Sequence, residues 1–189
     1  MAATSRPIDR GDVTPQVMVL NGGSSAGKSS IVRCLQALLP ELWLSTGMDV
    51  LLQSMPASLH GSPSGLEFTP DGRATVGKAF RELQRAWIHG VAATARAGAR
   101  VIVDDVFLDG AACQERWQEA LEGLRVLWVG VRCDGAVAAC REVARGDRVS
   151  GLARSQADAV HRGVTYHLTL DTAGTESMDC ARLITRHLA

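Results

Sequence analysis

Eight residues near the start of the chain, Gly22-Gly23-Ser24-Ser25-Ala26-Gly27-Lys28-Ser29, match the spacing G-x-x-x-x-G-K-S of a phosphate-binding loop. Gly22 and Gly27 let the backbone turn tightly and bring successive N–H groups around an anion. Lys28 supplies a mobile positive charge for the β- and γ-phosphates of ATP, and the Ser29 hydroxyl is placed to ligate Mg²⁺. A helix beginning here, with Ser30 in its first turn, adds unpaired N–H donors and the positive end of its dipole. The apolar run Val17-Met18-Val19-Leu20 reads as a buried strand before the loop, and a helical pattern from Lys28 to Leu38 follows it. That context is the one the motif requires. ATP and Mg²⁺ are the expected cofactors.

Phosphoryl transfer needs further groups: one to position or deprotonate an acceptor hydroxyl, a carboxylate for the metal, and mobile positive charge over the transferring group. Asp49, in Thr46-Gly47-Met48-Asp49, follows a short strand and opens the next helix. It is the candidate base, and capping that helix is the alternative role. Val101-Ile102-Val103-Asp104-Asp105 reads as an apolar strand ending in acid, one of which would hold Mg²⁺ through water. Asp104 is the first choice, and Asp105 stays open. Arg141, Arg145 and Arg148 form a basic cluster, with Arg141 and Arg145 on one face of a helix and Gly146 able to end it. Their planar guanidinium groups suit phosphate oxygens, so a lid spanning about 141–158 is expected, with Arg141 on the nucleotide and Arg145 and Arg148 on the moving phosphoryl group. A solvated charged face is the bland alternative. His60, His89, His161, His167 and His187 are scattered, and none sits beside a recognisable nucleophile.

The elements that must position these residues alternate. Strands are expected at Val17–Leu20, Leu42–Ser45, Arg100–Asp104, Val126–Val131 and Tyr166–Leu170, and helices at Ser29–Leu39, Asp49–Ser54, Lys78–Ala97, Ala111–Leu121, Ala136–Arg145 and Glu176–His187. Near-continuous β-branched runs separated by helices predict a five-stranded parallel sheet in a three-layer α/β sandwich, with ligands at the carboxyl ends of the strands. The P-loop, Asp49 and Asp104 all follow strand ends. One Gly/Ser/Pro-rich stretch, about 56–77, breaks the alternation. Within it Leu66–Thr69 and Arg73–Val76 flank Pro70-Asp71-Gly72, a hairpin signal. This insertion either covers the acceptor pocket or is a surface excursion.

A chain of 189 residues is most simply one domain, read here as 15–189 behind a flexible N-terminal extension, 1–14. Lys+Arg and Asp+Glu balance at 20 each, which argues against nucleic acid as a partner. No apolar run approaches 18 residues, so no membrane span is expected. The extension has no apolar core of a secretory signal, and five cysteines without a C-x-x-C pair read as reduced thiols in a cytoplasmic protein. The four tryptophans read as core, with Trp43 near the acceptor side. A GTPase would need a base-reading N-K-x-D element, and none is found. Size and order instead match a small-molecule kinase.

The sequence resembles the chloramphenicol phosphotransferase family over about residues 16–188. The likeness runs through Asn21–Ser29, Ile31–Gln36, Val103–Phe107, Gln114–Trp117, Leu127–Val137 and Ala144–Val149. The resemblance implies a P-loop kinase-like fold and transfer of the ATP γ-phosphate to a hydroxyl of chloramphenicol, inactivating the drug. It implies that Asp49 is the base and that Arg145 and Arg148 are lid arginines. Met48, Val50, Met55, Val106 and Phe107 would then line an apolar acceptor pocket around Asp49. Departures from the family pattern gather at the acceptor: Gly47-Met48-Asp49-Val50-Leu51 lacks the flanking Val and Ser, and Pro56–Thr69 differs. Another antibiotic hydroxyl therefore stays open as acceptor. So do a metabolic kinase of shikimate or nucleotide type, a non-catalytic nucleotide-binding regulator, and a homo-oligomeric state.

Overall fold

Runs of β-branched and apolar residues pair into a parallel sheet because both of its faces are covered by helices. A computed structural model describes residues 14–69, 73–146 and 151–188. Nearly all of the expected N-terminal extension, the Pro70-Asp71-Gly72 turn and the lid residue Arg148 lie outside the described residues. The sheet strands are β1 (Val17–Asn21), β2 (Trp43–Gly47), β5 (Arg100–Asp105), β6 (Val126–Arg132) and β7 (Leu168–Asp171), in spatial order β2-β5-β1-β6-β7. A separate antiparallel hairpin, β3 (Leu66–Phe68) with β4 (Ala74–Val76), stands where the insertion was expected. Among the described residues the helices are α1 (Lys28–Leu38), α2 (Met48–Ser54), α3 (Lys78–Arg96), α4 (Ala111–Ala120), α5 (Gly135–Arg145), α6 (Leu152–Ala159) and α7 (Ser177–Leu188).

The two faces follow from the strand period of two. Met18 and Leu20 of β1 and Ile102 of β5 pack with Ile31 and Leu35 of α1 and Ile184 of α7. Val17 and Val19 of β1 and Val101 and Val103 of β5 point the other way, to Ile88 and Ala92 of α3 and Trp117 of α4. The result is the expected three-layer sandwich. A third, smaller core joins Met48, Leu51 and Met55 of α2 to Leu66 of the hairpin and Phe80 of α3. The hairpin is therefore packed onto the domain.

Two strand boundaries move by two residues, the others by one or none, and one helix was not expected. Strand β2 runs to Gly47, because Thr46 and Gly47 pair with Val103 and Asp104 of β5. Strand β7 starts at Leu168, since the Tyr166 side chain turns inward to Asn21 and His161. The stretch after Gly146 contains a separate helix, α6, which the sequence did not suggest. Glu142 of α5, buried, accepts from the N–H groups of Gly151 and Ala153 at 2.8 and 2.7 Å. That carboxylate satisfies orphan donors at the start of α6 and ties it to α5.

Candidate active site

The carboxyl ends of the parallel strands form one edge of the sheet, and the loops there converge on a cleft of about 580 Å³. Strand β1, buried at every position, leads into the phosphate loop, whose residues Ser24 to Ser30 line this cleft. Gly27 adopts φ 89°, a left-handed conformation that glycine takes without strain, immediately before α1. No acidic residue occupies the first turn of α1, so its N–H groups and dipole are left for an anion. The Oγ atoms of Ser24 and Ser25 are buried without a hydrogen-bond partner among the described residues, and both serines line the cleft. Orphaned polar atoms around a turn of backbone donors fit a bound phosphate chain.

Lys28 is almost wholly buried. Its Nζ donates to the carbonyls of Gly22 and Gly23 at 2.9 and 3.0 Å and lies 3.5 Å from Asp104 Oδ1. The Ser29 hydroxyl donates to Asp104 Oδ2 at 2.5 Å. A hydroxyl and a carboxylate side by side, both oxygen donors, are the ligand type Mg²⁺ takes. The alternation of β5 separates the two adjacent acids. Asp104 shares the Ile102 side and faces α1. Asp105 shares the Val103 side, is fully buried, and accepts from Trp117 Nε1 at 2.6 Å and Val106 N–H at 2.7 Å. Burial pushes the Asp105 carboxyl above its usual range, against the pull of those two hydrogen bonds. Asp105 fixes the turn after β5 and does not reach the cleft.

Asp49 sits in the first turn of α2, exposed, one residue inside a helix that starts at Met48 behind Gly47. The expected capping position therefore belongs to Gly47. Asp49 lines the main cleft with Lys28, Ser29 and Asp104, and also a side hollow of about 190 Å³ with Arg33, Val50 and Thr46. Of the expected acceptor residues, Met48 and Val106 line the main cleft, and Val50 lines only the side hollow. Met55 packs inside the small α2–hairpin core. Phe107 is a correction. It is fully buried and its ring meets Trp128 at 6.4 Å, because it lies on the Asp105 side of the turn. Its place is taken by Leu52, Leu66, Phe68, Leu108 and Leu152, drawn from α2, the hairpin, the turn after β5 and α6. Helical spacing from Met48 to Leu52, and the period-two pair Leu66 and Phe68, were the signals available for these. Trp43 is buried beside Arg100 at the opposite end of β2, away from the cleft.

Arg145 lines the main cleft. With Arg141, Ser30 and Gly27 it also borders a neighbouring hollow of about 520 Å³, closed by Thr172 to Ser177. Arg141 is held there, donating to the Thr172 carbonyl at 2.6 Å. Thr172 in turn donates to the Ala26 carbonyl at 2.8 Å. Behind the phosphate loop lies a second network. Asn21 Nδ2 donates to the Val160 carbonyl at 2.8 Å and to the Tyr166 hydroxyl at 2.6 Å, and that hydroxyl lies 2.6 Å from His161 Nδ1. Burial, helped by the Arg132 charge, holds His161 down at about 4. The same desolvation pushes Tyr166 up to about 12.

Comparison with known proteins agrees with this geometry. A Mycobacterium tuberculosis protein carrying the provisional name of an O-phosphotransferase is 33% identical over 186 residues, covering 88% of this chain and 79% of its own. Two solved structures share the fold at low identity. A sugar kinase from Janibacter matches with a TM-score of 0.68 at 15% identity, over 91% of this chain and 93% of its own. The Mycobacterium tuberculosis APS kinase, solved with AMPPNP and APS, matches with 0.66 at 17%, over 93% and 98%. The architecture is that of the P-loop kinases. The family described as chloramphenicol phosphotransferase-like protein matches residues 15–189, and the chain belongs to that family.

Proposed function

We propose that the protein is an ATP- and Mg²⁺-dependent O-phosphotransferase whose acceptor is a hydroxyl on a small, neutral, largely apolar molecule. An antibiotic of the chloramphenicol type is the leading acceptor, and its inactivation the biological outcome. One observation carries this reading. Asp49 lines the same cleft as the Lys28–Ser29–Asp104 cluster and the apolar side chains of Met48, Leu52, Leu66, Phe68 and Leu108. Apolar walls with one polar group aimed inward select neutral ligands by shape and hydroxyls by a single acceptor.

In this reading the N–H groups of the phosphate loop and Lys28 hold the phosphates. Ser29 and Asp104 would hold Mg²⁺, which would supply positive charge to offset that of the phosphates. Asp49 takes the acceptor's hydroxyl proton as the oxygen attacks phosphorus and the bond to the ADP oxygen breaks. Arg145, from the lid side, balances charge on the moving phosphoryl group. Arg148 is assigned the same role on the resemblance alone. Positioning supplies most of the acceleration. Arg141 and the hollow beside Thr172 would take the base end of the nucleotide.

Arg33 favours a second reading. It is exposed on α1 and lines both the cleft and the side hollow next to Asp49. A cation there suits a carboxylate or phosphate on the acceptor, as in metabolic kinases. The test is product mass after incubation with Mg-ATP and a panel of neutral hydroxylated antibiotics, shikimate and nucleoside monophosphates. A gain of one phosphoryl group on a neutral antibiotic, with loss of its action on a sensitive strain, is the expected result. Efficient turnover of the anionic acceptors alone would overturn the neutral-acceptor reading.

A further inference from the structure

Helix α6 lies directly on the phosphate loop, and one side chain makes the join. Gln156 is about 6% exposed, and its Oε1 accepts from the Ser24 N–H at 2.8 Å. The approach is close: a Cβ placed on Gly23 would meet Gln156 Cβ at 3.2 Å. Because the Ser24 N–H can only donate, the carboxamide oxygen is fixed toward the loop and the –NH₂ is turned away from it. That –NH₂ makes no hydrogen bond among the described residues, and Gln156 lines the cleft that also holds Lys28, Ser29 and Asp104. An oriented donor on an almost buried side chain therefore lies beside the phosphate loop, in the cleft that would take the phosphates of a triphosphate.

We infer that Gln156 reads the γ-phosphate, holding the loop through Oε1 and donating from Nε2 to a terminal phosphoryl oxygen that ADP lacks. The inference rests on the kinase reading above. Its structural consequence runs through α6. The start of that helix is clamped to α5 by Glu142, and α5 carries Arg141 and Arg145. A phosphoryl oxygen held by Gln156 thus bears on the helix tied to the element that carries the arginines, so a triphosphate steadies α5 and α6 more than a diphosphate does.

The experiment is calorimetric titration of Mg-AMPPNP and Mg-ADP into the wild type, Gln156→Glu and Gln156→Met. Gln156→Glu keeps an acceptor for the Ser24 N–H but puts a negative oxygen where the donor was. AMPPNP affinity should fall about tenfold or more, with ADP affinity within about twofold of wild type. Gln156→Met removes the donor without adding charge, and should show the same selective loss to a smaller degree. Parallel weakening of both nucleotides in both variants would overturn the inference and leave Gln156 as a structural tie to Ser24. So would unchanged preference for AMPPNP in either folded variant. Failure of the wild type to bind either nucleotide would overturn the underlying nucleotide site as well.

Discussion

The two ends of the cleft are built differently. At the phosphate end, nine contiguous residues from Gly22 to Ser30 meet one carboxylate, Asp104, and Lys28 and Ser29 are interlocked with it by short polar contacts. At the end proposed for the acceptor, Leu52, Leu66, Phe68 and Leu108 arrive from segments far apart in the chain and share one apolar cluster, and Leu152 of α6 lines the same cleft. Catalytic electrostatics needs donors fixed before the charge moves, which short-range backbone geometry supplies. Acceptor fit needs only a shaped apolar wall, which many sequences supply. The phosphate end should therefore tolerate almost no change, and the acceptor end should shift specificity without losing the chemistry.

Lys28→Ala should break the phosphate end outright. Mg-ATP at about a hundred times its dissociation constant should stabilise the wild type by about 2.7 kcal/mol, and the variant should lose that stabilisation together with its transfer activity. A folded variant that keeps wild-type turnover would show that the loop does not hold the reacting phosphates. A smaller effect belongs to the acceptor wall. Phe68→Ala should raise the acceptor KM about tenfold through lost apolar contact, with the ATP KM and the ATP-dependent stabilisation unchanged. Equal changes in both KM values would mean that the hairpin supports the whole cleft.

A separate effect, confined to acid pH, comes from the network behind the loop. The folded protein holds His161 neutral down to about 4, whereas its ordinary value is 6.5. Across that window the unfolded chain binds the extra proton, so stability should fall as pH drops from about 6.5 toward 4. Thermal melts of His161→Gln should show a flatter slope over the same window. An identical slope would place the acid sensitivity elsewhere.

The same contrast explains what the sequence made legible. The strand–loop–helix unit around Lys28 is local, and its spacing is enough. The five sheet strands were visible because β-branched runs separated by helices have few other uses. Asp104 and Asp105 could not be told apart, since period two puts neighbours on opposite faces without saying which face α1 covers. Phe107 was misplaced for that reason, falling on the Asp105 side. Helix α6 was hidden behind the arginine cluster. Leu152 and Gln156, four apart on one face, were its available signal. Arg33 was overlooked because a helix position one turn past the phosphate loop carries no motif. Leu66 and Phe68 came with a recognised hairpin, but where that hairpin docks is a tertiary fact, fixed by Met55, Leu66 and Phe80.

Asp49 lines the cleft with both groups of residues, and the proposed mechanism rests on its carboxylate taking the acceptor proton. The direct measurement is label transfer from γ-labelled ATP to a neutral hydroxylated antibiotic, at saturating Mg-ATP, in the wild type and in Asp49→Asn. Asparagine keeps the shape but not the basicity. Transfer should fall by about 10²–10⁴-fold while ATP affinity and melting temperature hold. Labelled product at the wild-type rate across several pH values would contradict that mechanism and leave Asp49 as a residue of the α2 first turn only.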